Sequence, residues 1–523
     1  PTKRARADEL IRKLRERFAP GGMLHYGQGK WYPGETLPRW TFSLYWRGDG
    51  KPIWNNQDLI ASEKADQDLT HKHAKALLKD VAQRLDVPKK NVIAAYEDPG
   101  EWLLQEANLP NNVTPANTEL EDAEARHRIA RVFDRGLTKP AGYALPIQRW
   151  QADDSYRPYR WRSERWKLRR KHLFLIPGDS PVGYRLPLNA LPFVEKVSYP
   201  YTYPADPALL NKDLPEPEDL ARPDRRERPP QHVETVGPSV AQGPGQVFTA
   251  PGPVRTALSI EARDGKLCVF LPPVERAEDY LELIAAIEGA ASDAEMPIHI
   301  EGYAPPSDDR LNVIRVAPHP GVLEVNIHPA RSWEDTKAIT EAVYEEARQC
   351  RLGADKFMID GRHTGTGGGN HVVVGGASAL DSPFLRRPDL LKSLLLHWNR
   401  HPSLSYLFSG VFVGPTSQAP RIDEARTDSL YELEIALSQI PAPGEGIIPE
   451  PWLVDRLLRN ALIDVTGNTH RTEICIDKLY SPDGPTGRLG LVEFRGFEMP
   501  PNARMSLAQQ VLIRALIARF WEA

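Results

Sequence analysis

The chain has 523 residues, of which 41% are hydrophobic and 26% are charged. These proportions are typical of a soluble globular protein with two or three packed units. The formal net charge is −4, so the overall charge gives no argument for nucleic-acid binding. No apolar run reaches the roughly 18 residues that a membrane span needs. Three widely spaced cysteines, Cys268, Cys350 and Cys475, argue against a disulfide scaffold or a zinc ribbon and favour the reducing cytoplasm.

The N-terminal part of the chain is rich in aromatic and basic residues. A basic amphipathic helix is predicted over residues 1–17, and a short aromatic strand over Thr41–Trp46. Helical periodicity appears at 68–86 and 118–135, so residues 1–203 are expected to form an α+β region. The stretch 157–172 interleaves Arg with Trp, and we interpret it as a solvated surface in preference to a nucleic-acid site.

The middle of the chain changes in composition. Residues 204–254 are charged and Pro-rich and then Gly- and Pro-rich. Such a segment buries too little apolar surface to order itself, so a linker or a long surface loop is predicted.

Residues 255–523 alternate short strand candidates with helices. Helices are predicted near 277–291, 332–352, 384–400, 427–440, 450–462 and 506–522. The strand candidates are ALSIEA, KLCVFLPP, IHIEGY, VLEVNIHP, NHVVVGG, RTEICIDK and GLVEFRGF. Because several strands follow one another without a helix between them, we expect an α+β domain with an antiparallel or mixed sheet.

Several of these strands carry polar side chains on one face, because residues two apart in a strand project from the same side. The groups are Glu301 and Tyr303; Glu324, Asn326 and His328; Arg471, Glu473, Cys475 and Asp477; and Glu493 and Arg495. A carboxylate-lined face is costly unless the charges bind metal, pair with Arg or meet water. Carboxylates suit Mg²⁺ or Mn²⁺ better than zinc. A solvated sheet face explains any single strand, but the recurrence on successive strands favours a shared site.

A glycine-rich segment, DGRHTGTGGGNHVVVGG, occupies residues 360–376. Its glycines at 365, 367, 368 and 369 allow positive φ and close approach of the backbone to a phosphate. The segment is not a Walker A motif, because no Lys-Ser/Thr follows. A mobile hairpin loop is the alternative. The clustering of His363, Asn370 and His371 favours a phosphate-binding loop.

Long segments resemble the amidoligase family found fused behind bacterial transglutaminase-like domains, and the resemblance covers the chain apart from the linker. They include LFLIPGDSPVGYRLPL, FMIDGRHTGTGGGNHVVVGGA, DVTGNTHRTEICIDKLYSPD and LVEFRGFEMPPNARMSL. That family is placed among the glutamine-synthetase-like carboxylate–amine ligases. The resemblance therefore implies a glutamine-synthetase-like sheet with a polar, metal-binding face and flanking helices.

The resemblance also implies roles for individual residues. The implied metal ligands are Glu301, Glu324, His371 and Glu493. Glu261 is the nearest counterpart of the first metal-binding carboxylate of the superfamily. The implied nucleotide-binding residues are Gly367, Gly368, Gly369, Asn370, His371 and Arg421. The implied catalytic residues are Arg471, Glu493 and Arg495.

The implied activity is that of a ligase using ATP and Mg²⁺ (or Mn²⁺), which forms an amide or isopeptide bond through an acyl phosphate. The expected substrates are a peptide or amino-acid carboxylate and an amine, in the cytoplasm. A transglutaminase-like domain is the expected partner within a longer chain. The chain starts without Met and ends at Ala523 inside an amphipathic pattern, which indicates a fragment truncated at its C-terminus.

Two alternatives stay open. One is a kinase or phosphotransferase on the same scaffold, and the other is a non-catalytic peptide-binding module that serves the transglutaminase-like partner. Zinc hydrolysis is disfavoured, because the sequence has no HExxH motif. The oligomeric state is left open.

Overall fold

The structure is a computed structural model. It describes residues 2–29, 38–63, 67–100, 138–149, 161–168, 171–192, 212–221, 254–410, 413–425, 428–443, 445, 450–481 and 487–522. The chain divides into two compact units, the first comprising residues 1–202 and 213–318 and the second residues 203–212 and 319–523. The predicted helix at 118–135, the start of the Arg/Trp stretch and most of the predicted linker lie outside the described residues.

The first unit contains the following helices and strands among its described residues. The helices are α1 (Lys3–Phe18), α2 (His71–Arg84), α3 (Pro217–Ala221) and α4 (Ala277–Asp293). The strands are β1 (Met23–Gln28), β2 (Trp40–Arg47), β3 (Ile93–Glu97), β4 (Gly142–Arg149), β5 (Trp161–Ser163), β6 (Leu173–Leu175), β7 (Ala257–Arg263), β8 (Lys266–Leu271), β9 (Ile298–Gly302) and β10 (Leu311–His319). The predicted helices at the N-terminus and near 68–86 and 277–291 are confirmed.

A mixed sheet forms the centre of this unit. Its strand order is β6-β3-β4-β7-β8-β9, with β5 paired to β4. The β3–β6 and β8–β9 pairs are parallel and the others are antiparallel. Strands β1, β2 and β10 pair separately and antiparallel. Apolar side chains on one face, such as Leu258, Ile260 and Val269, share a core with Leu77 and Leu283 of α2 and α4. Alternation along the strands leaves the polar residues on the opposite face.

The division between the units differs from the predicted boundary at residue 254. Strand β7 pairs with β4 of the N-terminal region, with Tyr143 opposite Ile260, so residues 255–318 belong to the first unit. Part of the predicted linker, within residues 212–221, also packs against the first unit. Leu214 is buried, and Arg47 Nη1 donates a hydrogen bond to the carbonyl of Pro215 at 2.6 Å. Pairing between strands so distant in sequence has no local signal, which explains the difference.

The second unit contains short strands and many helices. The described strands are β11 (Val322–Asn326), β12 (Asp355–Phe357), β13 (His363–Gly365), β14 (Val372–Val374), β15 (Ile474–Cys475) and β16 (Val492–Phe494). The described helices are α5 (Trp333–Gln349), α6 (Pro383–Arg386), α7 (Pro388–Arg400), α8 (Pro402–Phe408), α9 (Ile422–Ala425), α10 (Ser429–Ser438), α11 (Pro451–Leu458) and α12 (Ala503–Glu522).

Three predicted elements of this unit are shorter or interrupted. The helix predicted at 384–400 is split in two, because Arg387 precedes Pro388 and takes φ −133° and ψ 78°. A residue before proline is disfavoured in the helical region. Strand β11 ends at Asn326 and β15 has only two residues, so His328 and Arg471 lie outside the strands in which they were predicted. The other helices predicted in this unit are confirmed.

Strands β14, β16 and β15 form an antiparallel sheet in that order. Val492, Phe494 and Ile474 pack into a core with Trp398 and Ile513 from the helices. Glu493 therefore projects from the opposite face. The predicted α+β class is confirmed for the described residues. Within the part of the chain that the structure describes, none of the helices has the length and apolarity that crossing a membrane requires.

Candidate active site

Glu493 lies on the central strand of the small sheet, paired with Val373 on one side and Cys475 on the other. Its carboxylate is almost completely buried, with 6% of the residue exposed. Oε1 accepts a hydrogen bond from Arg495 Nη1 at 2.6 Å and lies 3.1 Å from His371 Nδ1. Oε2 lies 3.5 Å from Lys478 Nζ. A buried carboxylate thus meets three potentially cationic side chains.

The surroundings of Glu493 keep it ionised. Burial by itself would raise the pKa of Glu493, but the hydrogen bond from His371 and the charges of Arg495 and Lys478 outweigh burial and hold this pKa well below its ordinary value. An ionised, enclosed carboxylate beside an imidazole is a natural cation ligand. The 3.1 Å between Nδ1 and Oε1 is close to the roughly 3.0 Å that separates adjacent ligands on an octahedral ion with bonds of about 2.1 Å.

The glycine-rich loop carries His371 to this position by running antiparallel to the segment after Glu493. Val372 pairs with Phe494, Asn370 N donates to the carbonyl of Phe497 at 2.8 Å, and Gly369 forms a bridge with Glu498. The side chain of Asn370 donates to two residues of α12, Ser506 Oγ at 3.0 Å and Gln509 Oε1 at 2.6 Å. The Asn370 side chain therefore fixes the loop.

Glycine is required at position 369 by close packing. A Cβ there would lie 2.1 Å from His371 Nε2, so the imidazole occupies the space that any side chain would need. Nε2 of His371 is buried and has no hydrogen-bond partner among the described residues. Gly367 adopts φ +81°, a conformation that favours glycine. The loop thus combines an exposed glycine at positive φ, Gly367, with a glycine whose missing side chain leaves room for His371.

Glu498 is a site residue that the sequence analysis missed. A Cβ at Gly365 would lie 2.2 Å from Glu498 Oε1, and the Gly367 backbone N–H donates to this carboxylate. Burial raises the pKa of Glu498, although that hydrogen bond and the charge of Lys356 oppose it. Strand alternation ends before Glu498, so the pattern that identified Glu493 gave no signal here.

Glu324 lies on β11, exposed in part and paired with neighbours. His319 Nε2 lies 2.7 Å from its Oε2, and Asn326 Nδ2 donates to its Oε1 at 2.7 Å. Val322, on the same strand face, places its Cγ2 3.9 Å from the point where a Cβ at Gly368 would lie. The face of β11 that carries Glu324 is therefore the one turned toward the glycine-rich loop.

Glu301 belongs to the first unit, whereas the other predicted ligands belong to the second. Arg263 ion-pairs with Glu301 and also donates from Nη1 to Glu261 Oε1 at 2.8 Å. Burial raises the pKa of Glu301, while the charge of Arg263 lowers it. Glu261 and Glu301 thus form a carboxylate pair that shares one guanidinium, on the polar face of the mixed sheet.

Two predicted arginines are engaged in structural contacts. Arg421 is buried, and its guanidinium donates to Asp423 at 2.9 Å and to Ser405 Oγ at 3.0 Å. Arg471 donates to the carbonyl of Ser417 at 2.8 Å and lies 3.4 Å from Asp464. These contacts hold loops together. Either arginine would have to break them before it could bind nucleotide or substrate.

Arg495 also reaches a group that the sequence analysis did not include. Its Nη1 lies 3.2 Å from His470 Nε2, and His470 Nδ1 lies 3.5 Å from Asp477 Oδ2 and 3.7 Å from Cys475 Sγ. Burial would raise the pKa of Asp477, but hydrogen bonds from neighbours including His470 lower it. His470 lies in the turn before β15, where no periodic pattern marks it.

Glu473 is a buried acid behind the sheet. It accepts a hydrogen bond from Trp398 Nε1 at 3.2 Å. Burial raises the pKa of Glu473 to about 6, although hydrogen bonds from Ser405 and Trp398 and the charge of Arg421 oppose the rise. Because the pKa of Glu473 is higher in the folded state than in the unfolded state, the protonated carboxyl group stabilises the fold. This contribution is fully present below the pKa that Glu473 has in the unfolded chain, and it is lost as pH rises through about 6.

Replacing Glu473 by Gln should therefore remove a pH-dependent part of the stability. The unfolding free energy of the wild type is expected to fall, relative to that of Glu473→Gln, by about 2 kcal/mol between pH 4.5 and pH 8, since one pKa unit corresponds to about 1.4 kcal/mol. Urea unfolding of both proteins at the two pH values measures this difference. Parallel pH profiles would contradict the assignment.

Comparison with known proteins adds one finding. Residues 1–523 match the model of a family described as "Putative amidoligase enzyme (DUF2126)". No curated protein and no solved structure matches the chain.

Proposed function

Because this chain belongs to that amidoligase family, we propose that it is an ATP- and Mg²⁺-dependent carboxylate–amine ligase. In the proposed reaction a carboxylate oxygen of the substrate attacks the γ-phosphorus of ATP, and ADP leaves. The amine nitrogen then attacks the acyl carbon, the bond from that carbon to the phosphate oxygen breaks, and inorganic phosphate departs. The amine also loses a proton, so the products are an amide or isopeptide, ADP and phosphate.

One observation carries this proposal: the glycine-rich loop places His371 against an ionised Glu493 beside Arg495 and Lys478. Backbone amides, a cation ligand and positive side chains are the groups that phosphoryl transfer requires, because the chemistry depends on positioning and on neutralising phosphate charge. A bound Mg²⁺ would supply that neutralisation across the ATP phosphates. Water must be kept out, because it would hydrolyse an acyl phosphate.

In this proposal each group has a separate task. Glu493 and His371 hold the divalent cation, with Glu324 as a further ligand from the strand that faces the loop. The backbone of Gly367, Gly368 and Gly369 contacts the phosphates, while Asn370 positions the loop through α12. Arg495 exchanges its bond to Glu493 for the transferred phosphoryl group, which a guanidinium binds through two parallel hydrogen bonds.

The carboxylate pair of the first unit, Glu261 and Glu301, is also proposed to bind a cation. Glu261 and Glu301 already share the positive charge of Arg263. Hard oxygen ligands of this kind suit Mg²⁺. A glutamine-synthetase-like arrangement of the fold, a peptide or amino-acid substrate, a transglutaminase-like partner and a cytoplasmic location belong to the same proposal.

An isotope experiment tests the proposed reaction. Peptide and amino-acid carboxylates labelled with ¹⁸O are incubated with ATP, Mg²⁺ and a panel of amines. We expect phosphate release that requires carboxylate, amine and Mg²⁺, with one ¹⁸O transferred from the carboxylate to the phosphate. Removal of Mg²⁺ by EDTA should abolish release.

The alternatives give different results in the same experiment. A kinase or phosphotransferase would yield a stable phosphorylated product without the amine and without transfer of ¹⁸O to free phosphate. A non-catalytic peptide-binding module would bind peptide without turnover of ATP.

A further inference from the structure

His470 and Cys475 offer ligand atoms close to Glu493, and the proposed ligase chemistry uses neither of them. His470, Cys475 and Glu493 each offer one ligand atom, and these three atoms lie within 4.8 Å of one another. We propose that these three residues form a binding site for Zn²⁺ or a similar borderline-soft divalent cation.

Strand pairing places two of the donors side by side, and a turn holds the third near them. Cys475 and Glu493 are directly opposite in the antiparallel β15–β16 pair, so their side chains are cross-strand neighbours. His470 is held by a turn in which its backbone N–H donates to Asn468 Oδ1 at 2.9 Å. Cys475 is 2% exposed and Glu493 is 6% exposed, so these two donors are shielded from water, whereas the side chain of His470 is partly exposed.

The separation between the sulfur and the imidazole nitrogen matches that of a tetrahedral site. Cys475 Sγ lies 3.7 Å from His470 Nδ1. Ligands on a tetrahedral Zn²⁺ with a Zn–S bond of about 2.3 Å and a Zn–N bond of about 2.05 Å are roughly 3.6 Å apart. Asp477 Oδ2 lies 3.5 Å from the same His470 nitrogen, so this carboxylate borders the cluster and can support the histidine.

The donor types indicate which cation the site would take. Thiolate and imidazole ligands select zinc and related transition metals, whereas Mg²⁺ prefers oxygen ligands. The cluster therefore differs in chemistry from the His371–Glu493 pair, although both include Glu493. A role for Cys475 as a catalytic thiol fits less well, because the thiol is buried and His470 presents the same nitrogen to Cys475 and Asp477.

A positive group already lies between two of the donors. Arg495 Nη1 contacts both Glu493 Oε1 at 2.6 Å and His470 Nε2 at 3.2 Å. Arg495 is 9% exposed, and its Nε has no hydrogen-bond partner among the described residues. The guanidinium of Arg495 thus occupies the position between two metal-ligand atoms while its own Nε–H stays unpaired within the described part of the chain, and a metal ion would replace it there. Occupancy would then separate Arg495 from Glu493.

Cobalt absorption spectroscopy on the full chain, without ATP, tests the site directly. Co²⁺ replaces Zn²⁺ in such sites, and a cysteine ligand gives a thiolate-to-cobalt charge-transfer band. We expect this band in the wild type, and its loss when excess Zn²⁺ is added. Cys475→Ser should abolish the band. Cys350→Ser should retain it, because Cys350 is an equally buried cysteine of the same unit that is not one of the donors.

Two further measurements keep the test decisive if Cys475→Ser fails to fold. His470→Gln retains the thiol and should still lose the band. Asp477→Asn should weaken Co²⁺ binding about 10- to 100-fold, the usual effect of removing a supporting carboxylate. Absence of the band in the folded wild type, or its persistence in folded Cys475→Ser, would overturn the proposal. These readouts do not depend on ATP turnover, so they stand or fall separately from the ligase reaction.

Discussion

Glu493→Gln is expected to lower Mg²⁺-dependent ATP turnover by at least about 10²- to 10³-fold, the loss typical of removing one preorganised electrostatic group. The substitution keeps the shape of the side chain but removes the charge that His371, Arg495 and Lys478 surround. The cation would lose its anionic ligand, and Arg495 would lose the partner that positions it. Steady-state turnover with saturating Mg²⁺ and ATP measures the effect.

Asp455→Asn provides the matched control. Asp455 is fully buried and pairs with Arg459 at 2.6 Å at the C-terminal end of α11, so this variant also leaves a cationic side chain without its buried carboxylate. Both variants should lose stability, which thermal unfolding would report, but only Glu493→Gln should lose turnover far beyond its folded fraction. Equal turnover in the two folded variants would refute the assignment of Glu493.

Gly369→Ala is expected to lower turnover about as far as His371→Ala does, by roughly 10²-fold, since small misplacements of catalytic groups cost rates of this order. The added Cβ would lie 2.1 Å from His371 Nε2, so the imidazole must leave its position against Glu493. The backbone N–H groups of the loop are unchanged by this substitution. The expected loss therefore reports on the histidine.

Gly368→Ala separates this effect from general disturbance of the loop. A Cβ at Gly368 would meet its nearest atom, Thr366 Oγ1, at 3.4 Å, which is ordinary contact. Its loss of turnover should be at least about tenfold smaller than that of Gly369→Ala. In addition, the double variant Gly369→Ala/His371→Ala should have the same turnover as His371→Ala alone. The two substitutions act through the same imidazole, so their effects should not add. An additive double variant would contradict the packing explanation.

Local sequence patterns predicted most of the individual elements and one part of the candidate site. Alternation in GLVEFRGF placed Glu493 and Arg495 on one face, and the structure joins their side chains directly. The glycine-rich loop and His371 were predicted for the same reason that they fold together: close backbone approach needs glycine. These features depend on residues near each other in the chain.

Contacts between distant segments could not be predicted in this way. His470 lies in a turn and Glu498 in an isolated bridge beyond β16, so neither helical nor strand periodicity marks them. His470 nevertheless contacts Arg495, and Glu498 pairs with Gly369 of the glycine-rich loop. Arg421 resembled a nucleotide ligand, but its buried guanidinium donates to Ser405 Oγ of α8, a contact that depends on how the chain packs. The sheet pairing that joins residues 255–318 to the first unit likewise depends on tertiary structure.

Diffraction at the manganese absorption edge, from crystals containing Mn²⁺ and a non-hydrolysable ATP analogue, locates the cation directly. We predict an anomalous peak roughly 2.1–2.3 Å from a Glu493 carboxylate oxygen and a His371 nitrogen, with the phosphates against residues 367–369. A bound nucleotide whose metal lies elsewhere, while Glu493 keeps its bonds to Arg495 and His371, would contradict the proposed catalytic centre.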